Sequence, residues 1–126
     1  MANAIEVLVP GLESFVRERF GDLPPMVHCP SGVEVDRFLP KFMPLKSKVK
    51  IVHHGSLDSN RGLDRIECFG KRLIDAGIDV EITIFGKGPL KKEFQKLSES
   101  LPWLNFLGEV DYSDVPELIA MNHFGI

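Results

Sequence analysis

Two stretches, KVKIVHH (residues 48 to 54) and VEITIF (residues 80 to 85), are β-rich apolar runs, each followed by glycine and then by a helical pattern. That order of strand, glycine-bearing turn and helix constrains the fold more than any other feature of the chain. Strands that alternate with helices form a parallel sheet through right-handed crossovers, with the helices on its faces. The expected class is therefore α/β, a Rossmann-like parallel sheet with flanking helices. Sheets of this kind bind ligands beyond the carboxyl ends of their strands. With 126 residues the chain can bury one core.

The spacing of Leu63, Ile66, Phe69, Leu73 and Ile74 predicts a helix over about residues 61 to 76 with one buried stripe, leaving Asp64, Arg65, Glu67, Lys71 and Arg72 mostly outward. Gly77 is placed to close it. A second helix starts at Pro89, carries Leu90, Phe94, Leu97 and Leu101 inward, and stops at Pro102. A third strand is expected at LNFLG (104 to 108), then a short helix with Asp114 and Glu117 as a capping pair and Pro116 in its first turn. Ahead of this unit stand a short strand (AIEVLV), a helix (GLESFVRERFG) and a proline-rich segment, residues 24 to 44, that reads as an ordered connection. The final FGI resembles the opening of a buried strand, so the chain is expected to be cut from something longer, with an open sheet edge that invites self-association.

A formal net charge of -3 supplies no basic field for nucleic acid or an anionic membrane. The opening MANAIEVLVPGLESF lacks the cationic start of a signal peptide, and no apolar stretch is long enough to span a bilayer. Cys29 and Cys68 stand apart, without metal-ligand or redox spacing, so buried thiols in a reducing cytoplasm are expected.

The segment HHGSLDSNRG (53 to 62) is the first candidate site. Gly55 falls at the strand end, Asp58, Ser59 and Asn60 are good N-cap residues, and Arg61 would stand in the first turn of the following helix. A cation there opposes the helix dipole, which suits an anion held by free backbone N–H groups; a capped turn with a solvated arginine is the equal alternative. The second turn, GKGP (86 to 89), sets Lys87 between two glycines at the same end of the sheet. A dinucleotide fingerprint would need glycine where Lys91 stands, and a Walker A loop is missing as well. His53 and His54 point to opposite faces of one strand, so no metal site is expected, and His28 and His123 have no visible partner. No catalytic residue can be argued from spacing.

Four segments in order, SGVEVDRFLP (31 to 40), HHGSLDSNRGLD, ITIFGKGPL and NFLGEV, resemble the family 4 (group 1) retaining glycosyltransferases of GT-B fold. The resemblance extends from about residue 4 onward. It implies that residues 1 to 23 are the end of an acceptor-type domain, 24 to 47 an interdomain connection, and 48 to 126 an incomplete nucleotide-sugar-binding domain. By the same resemblance Gly55, Ser56, Arg61 and Gly62 bind the donor diphosphate, with Arg61 as the steadying cation and Ser56 standing where many members have a second one, an arginine. Gly86, Lys87, Gly88, Pro89, Glu109 and Val110 are implied as nucleotide contacts. The implied function is transfer of a sugar from a nucleotide-diphosphate donor to an unidentified acceptor, with retention and with neither metal nor cofactor, in a cytoplasmic protein that the membrane surface can also hold. The family's glutamate pair would fall after Ile126 and its acceptor domain before Met1, so these 126 residues alone are expected to be inactive. Two alternatives stand beside this one: a non-catalytic nucleotide- or phosphate-binding module, and a truncated domain that associates with itself.

Overall fold

The computed structural model describes residues 3–32, 34–39, 41–45 and 48–126. Val33 and Pro40 of the SGVEVDRFLP segment therefore lie outside the described residues. The chain divides into two compact units, Met1–Glu34 and Val35–Ile126.

In the first unit, strand β1 (Ile5–Val7), helix α1 (Pro10–Phe20) and strand β2 (Met26–His28) follow one another. Pro10 opens α1, where its missing N–H costs nothing and its fixed φ suits the first turn. β1 and β2 pair in parallel with Ile5 opposite Met26, and the ladder is extended by Ile5 N–H to Pro25 O (3.0 Å) and Cys29 N–H to Val7 O (2.9 Å). Nothing in the sequence announced β2, because three residues between prolines are too few to show a period. Glu13 accepts from Arg17 Nε at 2.9 Å and contacts His28 Nε2 at 2.7 Å, so His28 does have a partner. Those hydrogen bonds, Arg17 first and then His28, hold the Glu13 carboxyl below its ordinary range.

The second unit contains β3 (Lys48–Ser56), two 3-10 turns (Ser59–Arg61 and Leu63–Arg65), α2 (Ile66–Asp75), β4 (Asp79–Lys87), α3 (Lys91–Ser100), β5 (Leu104–Gly108), α4 (Val115–Ala120) and β6 (Phe124–Gly125). Its four strands are all parallel, in the order β5-β4-β3-β6, which is the Rossmann-like sheet expected from the strand–turn–helix repeat. The chain steps outward from β3 through β4 to β5 and then returns to β6 on the other side of β3. Ile66 of α2 and Phe94 of α3 pack into one core on one face of the sheet, and a right-handed return from β5 to β6 calls for α4 on the other.

Ile51, Val80, Ile82, Ile84 and Leu104 from the strands pack with Leu57, Leu63, Ile66 and Phe94 in one core. Val52 and Phe85, which point to the opposite face, are buried as well. Burial on both faces explains why the strands read as nearly continuous apolar runs. Phe94 lies 6.1 Å from Phe106, ring centre to ring centre, and burial of a side chain of this size is worth about 1.5–3 kcal/mol.

Several local expectations are corrected. Helix α2 begins at Ile66 rather than near residue 61, because Gly62 adopts a left-handed conformation (φ 71°) that separates two 3-10 turns. The buried stripe then runs Leu63, Ile66, Gly70 and partly buried Leu73, while Phe69 and Ile74 are exposed. Gly77 does close α2: its N–H donates to Ile74 O (2.8 Å) and that of Ile78 to Leu73 O (3.0 Å), a Schellman arrangement. Helix α3 starts at Lys91, two residues past Pro89, because the Leu90 N–H is drawn to Leu57 O (3.1 Å). At α4, Asp114 is the N-cap but makes no side-chain capping bond, since its backbone is already helical and its N–H continues the preceding turn to Asp111 O (2.9 Å). Cys29 and Cys68 are exposed, not buried: Cys68 falls off the stripe of α2, and Cys29 sits just past β2.

Candidate functional site

The carboxyl ends of β3 and β4 carry both glycine-bearing segments, and the backbone itself explains the glycines. Gly55 pairs with Gly86 and Ser56 with Lys87; beyond them the Leu57 N–H donates to Lys87 O at 2.9 Å. A Cβ on Gly86 would stand 1.9 Å from the Gly55 carbonyl oxygen, and one on Gly88 2.6 Å from that of Leu57. Only glycine lets the two segments touch at this distance, and both residues have positive φ (143° and 155°). The close approach that the GKGP sequence advertised is thus made to the protein's own main chain.

Leu57, fully buried, anchors the segment, and Ser56 and Asp58 flank it. Ser56 Oγ donates to Asp58 Oδ2, so the carboxylate does not cap the turn that follows. The N–H groups of Arg61 and Gly62 are also committed, to Asp58 O (3.1 Å) and Ser59 O (3.4 Å). This corrects two expectations about Arg61: it is not in the first turn of an α-helix, and the amides of Arg61 and Gly62 are not free for an anion. Its guanidinium remains available, because Arg61 has no ion-pair partner among the described residues.

Arg61 and Gly62 line a cavity of about 300 Å³ together with His53, Leu63, Arg65 and Phe69. Ile126 also contributes to its wall. The cavity therefore lies beside β3 and β6, where the strand order reverses. In open α/β sheets that reversal opens a crevice at the strands' carboxyl ends, the usual seat of a ligand. Arg65 was read from the sequence as an outward helical residue. It belongs to the cavity because the second 3-10 turn ends at this residue, before the α-helix begins. The spacing of four between Arg61 and Arg65 already places them on one side of a helical segment, the signal that could have joined them.

The two adjacent histidines diverge as alternation requires. His53 faces the cavity, and its Nδ1 lies 2.8 Å from Ile126 O; a carbonyl only accepts, so Nδ1 carries the proton. Its Nε2 is buried without a hydrogen-bond partner among the described residues. On the other face His54 stacks on Phe85, with ring centres 5.7 Å apart, and burial, followed by the His53 charge, pushes its pKa down. His123, partnerless in sequence, accepts the Lys50 N–H at Nδ1 (2.9 Å). Among the described residues no group of three His, Cys, Asp or Glu side chains gathers in a way that could hold a metal ion.

The remaining candidates form a second cluster rather than part of the cavity wall. Lys87 and Pro89 are exposed next to Gly86 and Gly88. β5 slips register so that Phe85 faces Gly108, with Leu107 as the extra residue, a bulge that redirects the chain into Glu109 and Val110. Glu109 then meets Lys91 at the start of α3, at 3.5 Å. Gly55, Ser56, Gly86, Lys87 and Gly88 are thus in contact through paired backbone, whereas Arg61 and Gly62 look into the cavity and Glu109 and Val110 border the far side.

No protein-family model matches the chain. The chain is similar to GDP-mannose-dependent mannosyltransferases. It is 27% identical over 116 residues to the Corynebacterium glutamicum GDP-mannose-dependent monoacylated alpha-(1-6)-phosphatidylinositol monomannoside mannosyltransferase, covering 82% of this chain and 30% of that protein. It is 29% identical over 117 residues to the Mycobacterium tuberculosis GDP-mannose-dependent alpha-(1-6)-phosphatidylinositol dimannoside mannosyltransferase, covering 84% of this chain and 30% of that protein. The chain therefore spans under a third of the length of the curated relatives it matches. The relatives are named as transferases that depend on GDP-mannose, in agreement with the resemblance carried by the four ordered segments.

Proposed function

We propose that this chain is the donor-side portion of a retaining glycosyltransferase and that the carboxyl-terminal edge of its sheet receives the diphosphate of a nucleotide sugar. The observation that carries the reading is the cavity at the reversal of strand order, lined by Arg61 without a competing carboxylate among the described residues. In this reading Arg61, next to left-handed Gly62, contacts the diphosphate through its planar guanidinium, which matches two phosphate oxygens at once. Gly55 and Ser56 form the floor beside it. Gly86, Lys87, Gly88 and Pro89 approach the nucleotide, and the backbone at Glu109 and Val110 borders the base.

Rupture of the bond between sugar and diphosphate leaves negative charge on the departing nucleotide. A cation at this position stabilises that charge as it grows, which is the catalytic contribution this edge can make through its own residues. The donor is assigned as GDP-mannose and the acceptor as a mannosylated lipid or glycan, because the relatives carry those substrates in their names. The similarity to transferases favours this reading over a binding module without activity. Residues 1 to 23 are assigned to an acceptor-type domain and 24 to 47 to the connection, in a protein that works at the cytoplasmic side.

Arg61→Ala tests the reading. In a mutant whose circular dichroism matches that of the parent, GDP affinity measured by calorimetry should drop roughly 10- to 100-fold, the value of a charge-assisted contact. Unchanged affinity in a folded mutant rejects the role of Arg61.

A further inference from the structure

We propose that Arg65 is the second cation of the diphosphate site and acts with Arg61 from the same cavity wall. The inference rests on the donor-site reading above, and it concerns a residue that neither the motifs nor the helical pattern singled out. Arg61 ends one 3-10 turn and Arg65 ends the next, with left-handed Gly62 between them. Both side chains are exposed, as expected of Arg65, and both line the same open cavity.

The surroundings leave both guanidinium groups uncompensated. Lys48, Lys50, Lys71 and Lys91 are matched with Asp79, Glu81, Glu67 and Glu109, whereas Arg61 and Arg65, like Arg72, Lys87, Lys92 and Lys96, have no ion pair among the described residues; what sets Arg61 and Arg65 apart is that they share one cavity. Of the nearby carboxylates, Asp58 is engaged by Ser56 and Glu67 by Lys71, while Asp64, between the two arginines in sequence, is not among the cavity-lining residues and forms no ion pair with either of them. Two like charges on the wall of one open cavity repel each other, and an anion between them offsets that repulsion. A diphosphate fits that need: it is multiply charged and offers oxygens to two planar forks.

Position 56 explains why a second cation is required from elsewhere. There the resemblance implies an arginine, but the chain has Ser56, and its hydroxyl is already spent on Asp58. Arg65 restores the missing charge from the opposite end of the turn pair.

The test is calorimetry of this chain with GDP and with inorganic diphosphate, comparing the parent, Arg61→Ala, Arg65→Ala, Arg65→Lys and Arg72→Ala. Arg72 lies in the last turn of α2, away from the cavity, and serves as the charge control. Arg65→Ala is expected to weaken both ligands roughly 10- to 100-fold. Arg65→Lys should recover part of the loss and keep the fold if the alanine variant does not, and Arg72→Ala should bind as the parent does. If Arg61→Ala weakens binding while both Arg65 variants bind like the parent, the inference on Arg65 fails and the donor-site reading survives. If the folded parent binds neither GDP nor diphosphate, both fail together.

Discussion

Replacing Gly86 with alanine should be among the most damaging single-methyl changes this fold can suffer. Its φ of 143° lies where L-residues are strained, and the added Cβ would sit 1.9 Å from the Gly55 carbonyl oxygen and 2.9 Å from its carbon. That oxygen cannot swing aside as a side chain would, because residues 55 and 86 are paired within the β3–β4 ladder. Strain of this kind costs about 1–3 kcal/mol, and forcing an extra carbon into packed structure costs a further ~1–3 kcal/mol. A loss of roughly 2–6 kcal/mol is expected, a large part of the ~5–15 kcal/mol that keeps a domain folded. Gly55→Ala is the control, because its φ is also positive (118°) but nothing lies within 4 Å of the new methyl group. Only the strain should be felt there, about 1–3 kcal/mol. Urea unfolding of both variants, followed by far-UV circular dichroism, measures the difference. Equal losses, or a Gly86→Ala loss below ~1 kcal/mol, would refute the claim that backbone contact between the two loops dictates the glycines.

Gly70→Ala puts a methyl group 2.3 Å from the ring of Trp103, the one tryptophan of the chain, so the indole must move outward and its fluorescence should shift to the red; unchanged emission contradicts the contact. His54 binds its proton more weakly in the folded state than in the unfolded chain, because burial and then the His53 charge lower its pKa from the ordinary 6.5. Its contribution to stability is accordingly complete above pH ~6.5 and is lost as the pH falls through the depressed value. His54→Phe should remove that acid-side loss in pH-dependent urea titrations, and a mutant as acid-sensitive as the parent contradicts it. Phe94→Ala, which empties a position only 2% exposed at the centre of the core, should cost about 3–5 kcal/mol, and a loss under ~1 kcal/mol would mean that α3 does not pin the sheet as described.

The second unit was largely legible because its physics is local. The runs KVKIVHH and VEITIF became β3 and β4, LNFLG became β5, and each glycine after a strand marked a turn at the carboxyl edge. Boundaries moved where a tertiary hydrogen bond outweighed local preference, as at Leu90, or where a left-handed glycine interrupted a helix, as at Gly62. Strand β2 escaped notice since three residues carry no period. The site was legible only in part. Residue type and strand-end position singled out Arg61, which does line the cavity, whereas Arg65, four residues on, lines it as well but was read only as an outward residue. The glycines of the GKGP turn were recognised for close approach, and the approach the structure shows is to the backbone of Gly55 and Leu57.

The claim that this sheet edge receives a nucleoside diphosphate is tested most directly by an NMR titration of the chain with GDP, UDP, ADP and inorganic diphosphate. Saturable shifts with GDP, strongest at the amides from His53 to Arg65 and from Gly86 to Gly88 and weaker with the other nucleotides, are the expected result. A well-dispersed spectrum in which no ligand moves those amides would contradict it.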